Sequence, residues 1–92
     1  MIRSFRDPEA EALFSGKPSR RFQQVARVAQ RKLQQLHAAG ELRDLAAFPG
    51  NRLEALAGGR RGQHSVRVNE KYRICFVWHD GDAVDVEIVD YH

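Results

Sequence analysis

The last three residues of the sequence, Asp90-Tyr91-His92, have side chains suited to acid–base chemistry. The imidazole of His92 titrates near neutral pH, so it can donate or accept a proton during a reaction. Asp90 can orient that imidazole or act as a base, and Tyr91 can stack on a nucleobase or donate its hydroxyl. The competing interpretation is a frayed, inert terminus. We favour acid–base chemistry because the three residues adjoin one another.

Two arginines, Arg67 and Arg73, are expected to face each other across a hairpin. Alternating burial requires a three-residue loop at 69–71, because a shorter loop would pair apolar residues with charged ones. Like charges directly opposite each other destabilise a sheet, and a phosphate held between the two guanidinium groups would relieve this repulsion. Alternatively, each arginine pairs with an acid such as Asp85 or Glu87.

A second three-residue loop, Asp80-Gly81-Asp82, is expected between the last two strands. With this loop, one face of the sheet is wholly apolar and forms the core. This loop predicts three cross-strand pairs: Trp78–Val84, Phe76–Val86 and Ile74–Ile88. The opposite face is then open and collects the candidate site residues, on it or at its edge. They are Arg67, Lys71, Arg73, Asp90, Tyr91 and His92.

These residue types suit the cleavage of RNA without a metal. The reaction needs a base to activate the ribose 2′-hydroxyl, cations to stabilise the charged phosphorane, and an acid to protonate the leaving oxygen. DNA has no 2′-hydroxyl, so this chemistry acts on RNA alone. The sequence therefore predicts a protein that acts on RNA through a basic strand face and its last residues.

The remaining histidines and the cysteine are expected to be structural. His37 lies on a predicted helix surface, His64 falls in the apolar phase of a strand, and His79 adjoins a hairpin loop. Cys75 has no base near it in the sequence. We expect no metal site and no cofactor, because metal-ligand spacing is lacking and Gly58-Gly59 is not followed by the Lys-Ser/Thr of a phosphate-binding loop.

The elements that must position these residues follow the order β-α-α-β-β-β-β, an α+β fold in one domain over residues 1–92. Asp7-Pro8 is a helix-start signal, and Ser19 can cap a longer second helix that ends at Gly40. An apolar stripe marks that helix: Phe22, Val25, Ala29, Leu33 and Leu36. Its basic residues lie largely off the stripe: Arg20, Arg21, Arg27, Arg31 and Lys32.

Short strands are expected to make up the rest of the fold, as a mainly antiparallel twisted sheet under the two helices. The predicted strands are residues 2–5, 52–56, 64–68, 72–78 and 83–89. Residues 42–48 are expected to form one further helical turn.

Composition limits the possible classes of protein. The 92 residues are 42% hydrophobic, which suffices for one core. No apolar run approaches the ~20 residues of a membrane span, and one cysteine permits no internal disulfide, so we expect a cytoplasmic protein.

Six basic residues and no acid lie from Ala12 to Gly40, and five acids and no base lie from Asp80 to Asp90. This segregation favours a face for a polyanion, although an ordinary solvated surface explains it equally well.

Several segments resemble the HigB toxins of bacterial toxin–antitoxin systems. They are residues 1–5, 51–62, 65–69, 72–76, 80–83 and 90–92. The resemblance implies a RelE-like fold and a ribosome-dependent mRNA endonuclease that inhibits translation. It also implies neutralisation by a helix-turn-helix antitoxin of the HigA kind, with DNA contacted only indirectly through that antitoxin.

The resemblance also implies roles for individual residues. Four positions match the family's active site: Arg73, Asp90, Tyr91 and His92. The RNA-binding candidates are Arg67 and Lys71, from their predicted places at the open face, and Arg60 and Arg61, as sources of the positive charge that Ala57 lacks. The chain departs from the family pattern at Glu54 and Ala57, where many members have histidine and lysine. Glu54 is then a candidate general base, and the departures are consistent with attenuated activity.

Two other classes of function stay open. A non-catalytic RelE- or ParE-like toxin would bind the ribosome, RNA or DNA gyrase, although the terminal Tyr91-His92 argues against gyrase as the target. A purely structural or interaction protein is the third class, and the opposed arginines argue weakly against it.

Overall fold

The computed structural model describes residues 1–90, which form an α+β arrangement of helices packed on an antiparallel sheet, as predicted. The helices come first: α1 (Pro8–Phe14), α2 (Ala26–Ala38) and α3 (Arg43–Ala46). The strands follow: β1 (Glu54–Ala55), β2 (Gln63–Arg67), β3 (Tyr72–His79) and β4 (Asp82–Asp90). The order in the sheet is β1-β2-β3-β4, so consecutive strands are neighbours, which confirms the predicted meander.

The first helix begins where the sequence predicts it. The carboxylate of Asp7 accepts a hydrogen bond from the backbone N–H of Glu9 at 3.0 Å, and Pro8 lies in the first turn. Asp7 thereby satisfies one of the amides that a helix start leaves unpaired.

The second helix begins later than predicted. A short 3-10 turn at Gln23–Val25 comes first, and α2 starts only at Ala26. The hydroxyl of Ser19 accepts a hydrogen bond from Phe22 N–H at 3.4 Å and donates to Glu9 Oε1 at 2.8 Å. Ser19 therefore ties the approach to α2 onto α1 instead of capping α2 itself.

The core lies between α2 and one face of the sheet. The whole predicted stripe is buried, including Leu33 at the centre of α2 and Leu36 in its last turn. The sheet residues packed into this core are Val66, Val68, Ile74, Phe76, Ala83, Val86 and Ile88. Removing this much apolar surface from water is the main source of stability in a chain of this size.

One basic residue of α2 faces inward, contrary to the prediction. Lys32 is buried, and its ammonium group donates hydrogen bonds to the backbone carbonyls of Arg67 and Gly50. Burial, together with the positive charges of Arg31, Arg67 and Arg73, lowers the pKa of Lys32. The aliphatic part of the Lys32 side chain packs in the interior. The buried charge is tolerated because backbone carbonyl oxygens accept hydrogen bonds from the ammonium group.

The hairpin between β2 and β3 has the predicted register. Arg67 lies opposite Arg73 and Val66 lies opposite Ile74, as a loop at 69–71 requires. The side-chain carbonyl of Asn69 accepts hydrogen bonds from Lys71 N–H at 2.9 Å and Tyr72 N–H at 2.7 Å. This local turn fixes which residues face the core.

The predicted loop between β3 and β4 is wrong. His79 pairs with Asp82, so Asp80-Gly81 is a two-residue turn, and both of its residues have positive φ angles of 49° and 82°. Positive φ at both positions is the geometry of a tight hairpin turn. As a consequence Trp78 pairs with Ala83 rather than with Val84.

A β-bulge restores the predicted register further along β4. Between the pairs Cys75–Glu87 and Val77–Val84, β4 has one residue more than β3. Asp85 lies in this bulge with a positive φ of 54°. The bulge reverses the alternation, so Ala83 joins the core in place of Val84 while the predicted pair Ile74–Ile88 still forms.

The segment before α1 runs parallel to β4 and covers its outer edge. The predicted strand at residues 2–5 appears as two isolated bridges, Ile2 with Ala83 and Phe5 with Val86. Asp82 accepts a hydrogen bond from Arg3 Nε at 2.8 Å, which lowers the pKa of Asp82. Covering the edge in this way protects β4 from pairing with another chain.

Among the described residues, no helix is both long enough and apolar enough to cross a membrane.

Candidate active site

Arg73 lies on the sheet face opposite the core, and its guanidinium group is held in one orientation. Nε donates a hydrogen bond to Ser65 Oγ at 2.7 Å, and Nη2 donates to the carbonyl oxygen of Arg52 at 2.7 Å. Arg52 has a left-handed backbone, with φ of 45°. Arg73 itself is only 7% exposed. Such contacts orient a guanidinium group before any substrate arrives.

Four residues form a row across the same face. Glu54 pairs with Ser65, Ser65 with Cys75, and Cys75 with Glu87 along adjacent strands. The side chain of Glu54 is 51% exposed, and its Oε1 atom lies 3.9 Å from Nη2 of Arg73. An accessible carboxylate therefore lies beside the buried guanidinium. The sequence had placed both residues in the candidate site, but it had not paired them.

The centre of this face is covered, although we expected it to be open. Arg73 and Cys75 are both buried. Nη1 of Arg60 donates to Gln63 Oε1 at 3.0 Å and lies 3.3 Å from Glu87 Oε2. Since Gln63 is on β2 and Glu87 is on β4, the guanidinium of Arg60 reaches across β3. The expected RNA-binding residue Arg60 thus forms part of the cover over the sheet.

The opposed arginines pair in register, but their side chains diverge. Nε of Arg67 donates to the carbonyl oxygen of Asn69 at 3.2 Å, at the loop end of the hairpin. Arg73 instead extends towards Ser65. Because the two charges point in different directions, the pair does not require an anion between the two guanidinium groups. The sequence had favoured such an anion.

The acids considered as partners for these arginines have other surroundings. Glu87 Oε2 lies 3.4 Å from Arg6 Nη1 and 3.3 Å from Arg60 Nη1. Asp85 is exposed in the β-bulge of β4. Within residues 1–90, Glu54 of β1 places a carboxylate beside Arg73.

Lys71 and Asp90 lie together where β3 begins and β4 ends. Lys71 Nζ is 3.9 Å from Asp90 Oδ2, and both side chains are about half-exposed. Asp90 pairs with Tyr72 across the two strands. Tyr91 and His92 lie outside the described residues, so their expected places at the edge of this face stay predictions.

The 3-10 turn Gly58–Arg60 joins β1 to β2 beside this face. Ala57 and Arg61, which flank the turn, are exposed. Arg61 is therefore accessible to a ligand, as its predicted role in RNA binding requires.

The other histidines have structural contacts. His37 is not a simple surface residue, because its Nδ1 accepts a hydrogen bond from Ile2 N–H at 3.1 Å and so anchors the N-terminal segment. His64 stacks on Phe76 with ring centroids 6.3 Å apart, which agrees with its expected place in the apolar phase. His79 Nε2 lies 3.2 Å from Asp80 Oδ2 at the β3–β4 turn.

Cys75 is buried at the centre of the row. Burial raises the pKa of its thiol, the nearby Arg60 opposes that rise, and Glu87 adds to it. A thiol in such surroundings stays protonated and is a poor nucleophile. Within residues 1–90, no group of three or more His, Cys, Asp or Glu side chains is arranged to hold a metal ion.

Sequence reasoning missed Ser65, although its hydroxyl orients Arg73. The signal was available, since strand alternation places Ser65 on the same face as Arg67, two residues along β2. Ser65 was not among the candidates because a serine side chain carries no charge. The carbonyl of Arg52 had no signal in the sequence, because the contact depends on an unusual φ angle.

The sequence is similar to those of known toxins. The family model of the HigB-like toxins, described as RelE-like toxins of type II toxin–antitoxin systems, matches residues 3–92. Toxin HigB-1 of Vibrio cholerae serotype O1 is 49% identical over 55 residues, which span 60% of this chain and 58% of that relative.

Solved structures support the fold. A chain of the heterotetrameric YoeB–YefM toxin–antitoxin complex of Staphylococcus aureus superposes with a TM-score of 0.62 at 20% identity, covering 100% of this chain and 98% of that chain. A second YoeB–YefM structure from the same organism gives a TM-score of 0.57 at 19% identity, with the same coverage. With the family model spanning nearly the whole sequence, the chain belongs to the HigB family of RelE-like toxins of type II toxin–antitoxin systems.

Proposed function

We propose that this toxin is a ribosome-dependent endoribonuclease that cuts mRNA and thereby blocks translation. The observation that carries the proposal is the pair formed by Glu54 and Arg73. An exposed carboxylate lies 3.9 Å from a guanidinium whose orientation Ser65 and Arg52 fix. Membership of the HigB family supports the same reaction.

The proposed cleavage is an attack within the RNA strand. Glu54 takes the proton of a ribose 2′-hydroxyl, and the freed oxygen bonds to the adjacent phosphorus. The bond from phosphorus to the 5′-oxygen of the next nucleotide breaks, and His92 protonates that leaving oxygen. Arg73 stabilises the negative charge of the phosphorane between these steps. The products are a 2′,3′-cyclic phosphate and a 5′-hydroxyl.

The remaining candidates are assigned to positioning the RNA. Lys71 and Asp90 lie at the strand end that leads to Tyr91, whose ring would stack on a base. Arg61 and Arg67 would bind phosphates beside the cut. Arg60 would do so only by exchanging its contact with Glu87 for one with RNA.

A HigA-like helix-turn-helix antitoxin is proposed to neutralise the toxin, and DNA would be contacted only through that antitoxin. Membership of a type II toxin–antitoxin family supports a protein partner. The similar Staphylococcus aureus chains come from complexes of a toxin with an antitoxin.

The test is to map mRNA 5′ ends after induction of the toxin in growing bacteria. The wild-type chain should create new ends inside translated codons and arrest growth. Arg73→Ala, Arg73→Lys and deletion of His92 should each abolish the new ends. Arg27→Ala, which removes an exposed arginine of α2, is the matched control and should cut normally. Arg73→Lys keeps the positive charge but cannot contact both Ser65 and the carbonyl of Arg52 as the guanidinium does. It serves as the test if the alanine variant fails to fold.

One observation favours a non-catalytic toxin as the second candidate. Arg73 is 7% exposed, and its contacts with Ser65 and Arg52 are those of a structural residue. In that case the Arg73→Lys variant would remain toxic and mRNA would stay intact. Altered DNA supercoiling under those conditions would indicate gyrase inhibition, and arrested ribosomes on intact mRNA would indicate ribosome binding without cleavage.

A further inference from the structure

A cleft of about 320 Å³ lies between the approach to α2 and the loop that joins β2 to β3. Cations from two distant parts of the chain line it, Arg20 and Arg21 on one side and Lys71 on the other. Among the described residues that line the cleft there is no Asp or Glu. Lys71 Nζ lies 3.9 Å from Asp90 Oδ2.

An aromatic pair holds the two sides of this cleft at a fixed spacing. The rings of Phe22 and Tyr72 meet edge to face with centroids 5.4 Å apart. The guanidinium of Arg21 lies 4.8 Å from the Phe22 ring centroid, and Lys71 Nζ lies 5.2 Å from the Tyr72 ring centroid. Arg21 and Lys71 therefore each lie over an aromatic ring, and the two rings pack against each other.

The polar groups in the cleft are suited to an anion. Gln23, Gln24 and Asn69, which carry side-chain amides, are among the residues that line it. The oxygen of the Asn69 amide already accepts the N–H groups of Lys71 and Tyr72, which leaves its NH₂ group as the donor that this side chain can offer. Three cations and amide donors around one opening form a receptor for phosphate oxygens.

We propose that this cleft binds the phosphodiester backbone of single-stranded RNA, outside the nucleotides that are cut. Lys71 lies both in the cleft and beside Asp90, at the end of β4 that leads to Tyr91 and His92. An RNA strand crossing the proposed active site can therefore continue past Lys71 to Arg20 and Arg21. The inference rests on the proposed function for the identity of the ligand, and it adds a substrate-binding surface on the helical side of the molecule.

The test measures the binding of a fluorescent twelve-nucleotide 2′-O-methyl RNA by anisotropy at several KCl concentrations. This probe lacks the attacking hydroxyl, so binding is observed whether or not the protein is a nuclease. The double variant Arg20→Gln/Arg21→Gln should bind about 3- to 10-fold more weakly at low salt. The slope of log K against log salt should become shallower by about 0.7 for each phosphate that the variant no longer neutralises. Lys71→Gln should shift both quantities in the same direction.

Arg27→Gln/Arg31→Gln is the matched control, because it removes the same charge from exposed positions of α2 that do not line this cleft. Equal weakening in the two double variants would show a general effect of charge and overturn the proposal. A second result would also overturn the proposal: the double variant Arg20→Gln/Arg21→Gln binds a ten-residue glutamate peptide more weakly than wild type does but binds the RNA equally well. Failure of the proposed function is separate, since wild-type protein that never cuts mRNA can still show cleft-dependent binding of the probe.

Discussion

At the scale of single residues, the site is organised around a guanidinium that is fixed before substrate binds. Arg73 is bound by Ser65 from the neighbouring strand and by the carbonyl of Arg52, whose φ of 45° lies in the left-handed region. A non-glycine residue in that region is strained, and such strain persists where the surrounding contacts over-determine it. Strain at Arg52 thus accompanies a fixed orientation of Arg73, as stabilisation of a phosphorane requires.

Glu54→Gln tests the proposed general base directly. The glutamine keeps the shape of the side chain but cannot take a proton, so mRNA cleavage in a purified translation reaction should slow by about 10²- to 10⁴-fold. Thermal stability should change little, because the side chain is 51% exposed and its contact with Arg73 is 3.9 Å long. Glu70→Gln, at an exposed position in the β2–β3 loop, should cut at the wild-type rate. Wild-type cleavage by the Glu54 variant would remove Glu54 from the mechanism.

The charged members of the site were easier to predict than the groups that position them. Arg67 and Arg73 follow from alternation alone, and their register is confirmed. The burial of Arg73 was not predicted, because its contact with the carbonyl of Arg52 depends on a backbone conformation that the sequence does not specify. Contacts that join side chains to distant backbone are the least accessible to sequence reasoning.

At the scale of elements, the β3–β4 hairpin shows how a regular pattern can mislead. A three-residue loop preserved perfect alternation, and it was preferred for that reason. The Asp80-Gly81 pair is itself a strong signal for a two-residue turn, and the bulge at Asp85 then compensates for the changed register. Two local departures from regularity cancel, so the pair Ile74–Ile88 was predicted correctly for the wrong reason, whereas Trp78–Val84 and Phe76–Val86 are not pairs in the observed register.

Gly81→Ala tests this turn. The φ angle of Gly81 is +82°, which an alanine adopts at a cost of about 1 kcal/mol. For a chain of this size the melting temperature should fall by about 4–8 °C. The matched control is Gly59→Ala, where no positive φ is required and a Cβ atom would meet nothing within 4 Å. That control should be neutral or slightly stabilising. Equal melting temperatures for the two variants would contradict the proposed role of the turn.

At the scale of the whole molecule, the segregated charges of the sequence are largely brought together by the fold. The acids of β4 meet cations from elsewhere in the chain: Asp82 lies 2.8 Å from Arg3, and Glu87 lies 3.3 Å from Arg60. Asp82 and Glu87 are therefore neutralised by cations of other elements. The arginines of the α2 region stay exposed: Arg20, Arg21, Arg27 and Arg31.

The buried thiol of Cys75, at the centre of the sheet, makes a contribution to the free energy of unfolding that decreases at alkaline pH. Burial raises the pKa of Cys75 above its ordinary value of 9.0, so the folded chain keeps a proton that the unfolded chain loses. This contribution is fully present below pH 9.0 and is lost as the pH rises towards the folded pKa. Lys32 acts in the opposite direction, because its lowered pKa makes stability rise as the pH approaches 10.5.

A comparison of wild-type protein with Cys75→Ala isolates the thiol, since Lys32 and the other groups are common to both. The free energy of unfolding, measured by urea denaturation from pH 7.5 to 10.5, should show a constant difference up to about pH 9. Above that pH the wild type should lose stability relative to the variant by at most about 1.4 kcal/mol per pH unit. The cavity left by the alanine substitution adds an offset that does not depend on pH, so only the slope carries the result. A difference that stays constant throughout would mean that the thiol is not buried in the folded chain.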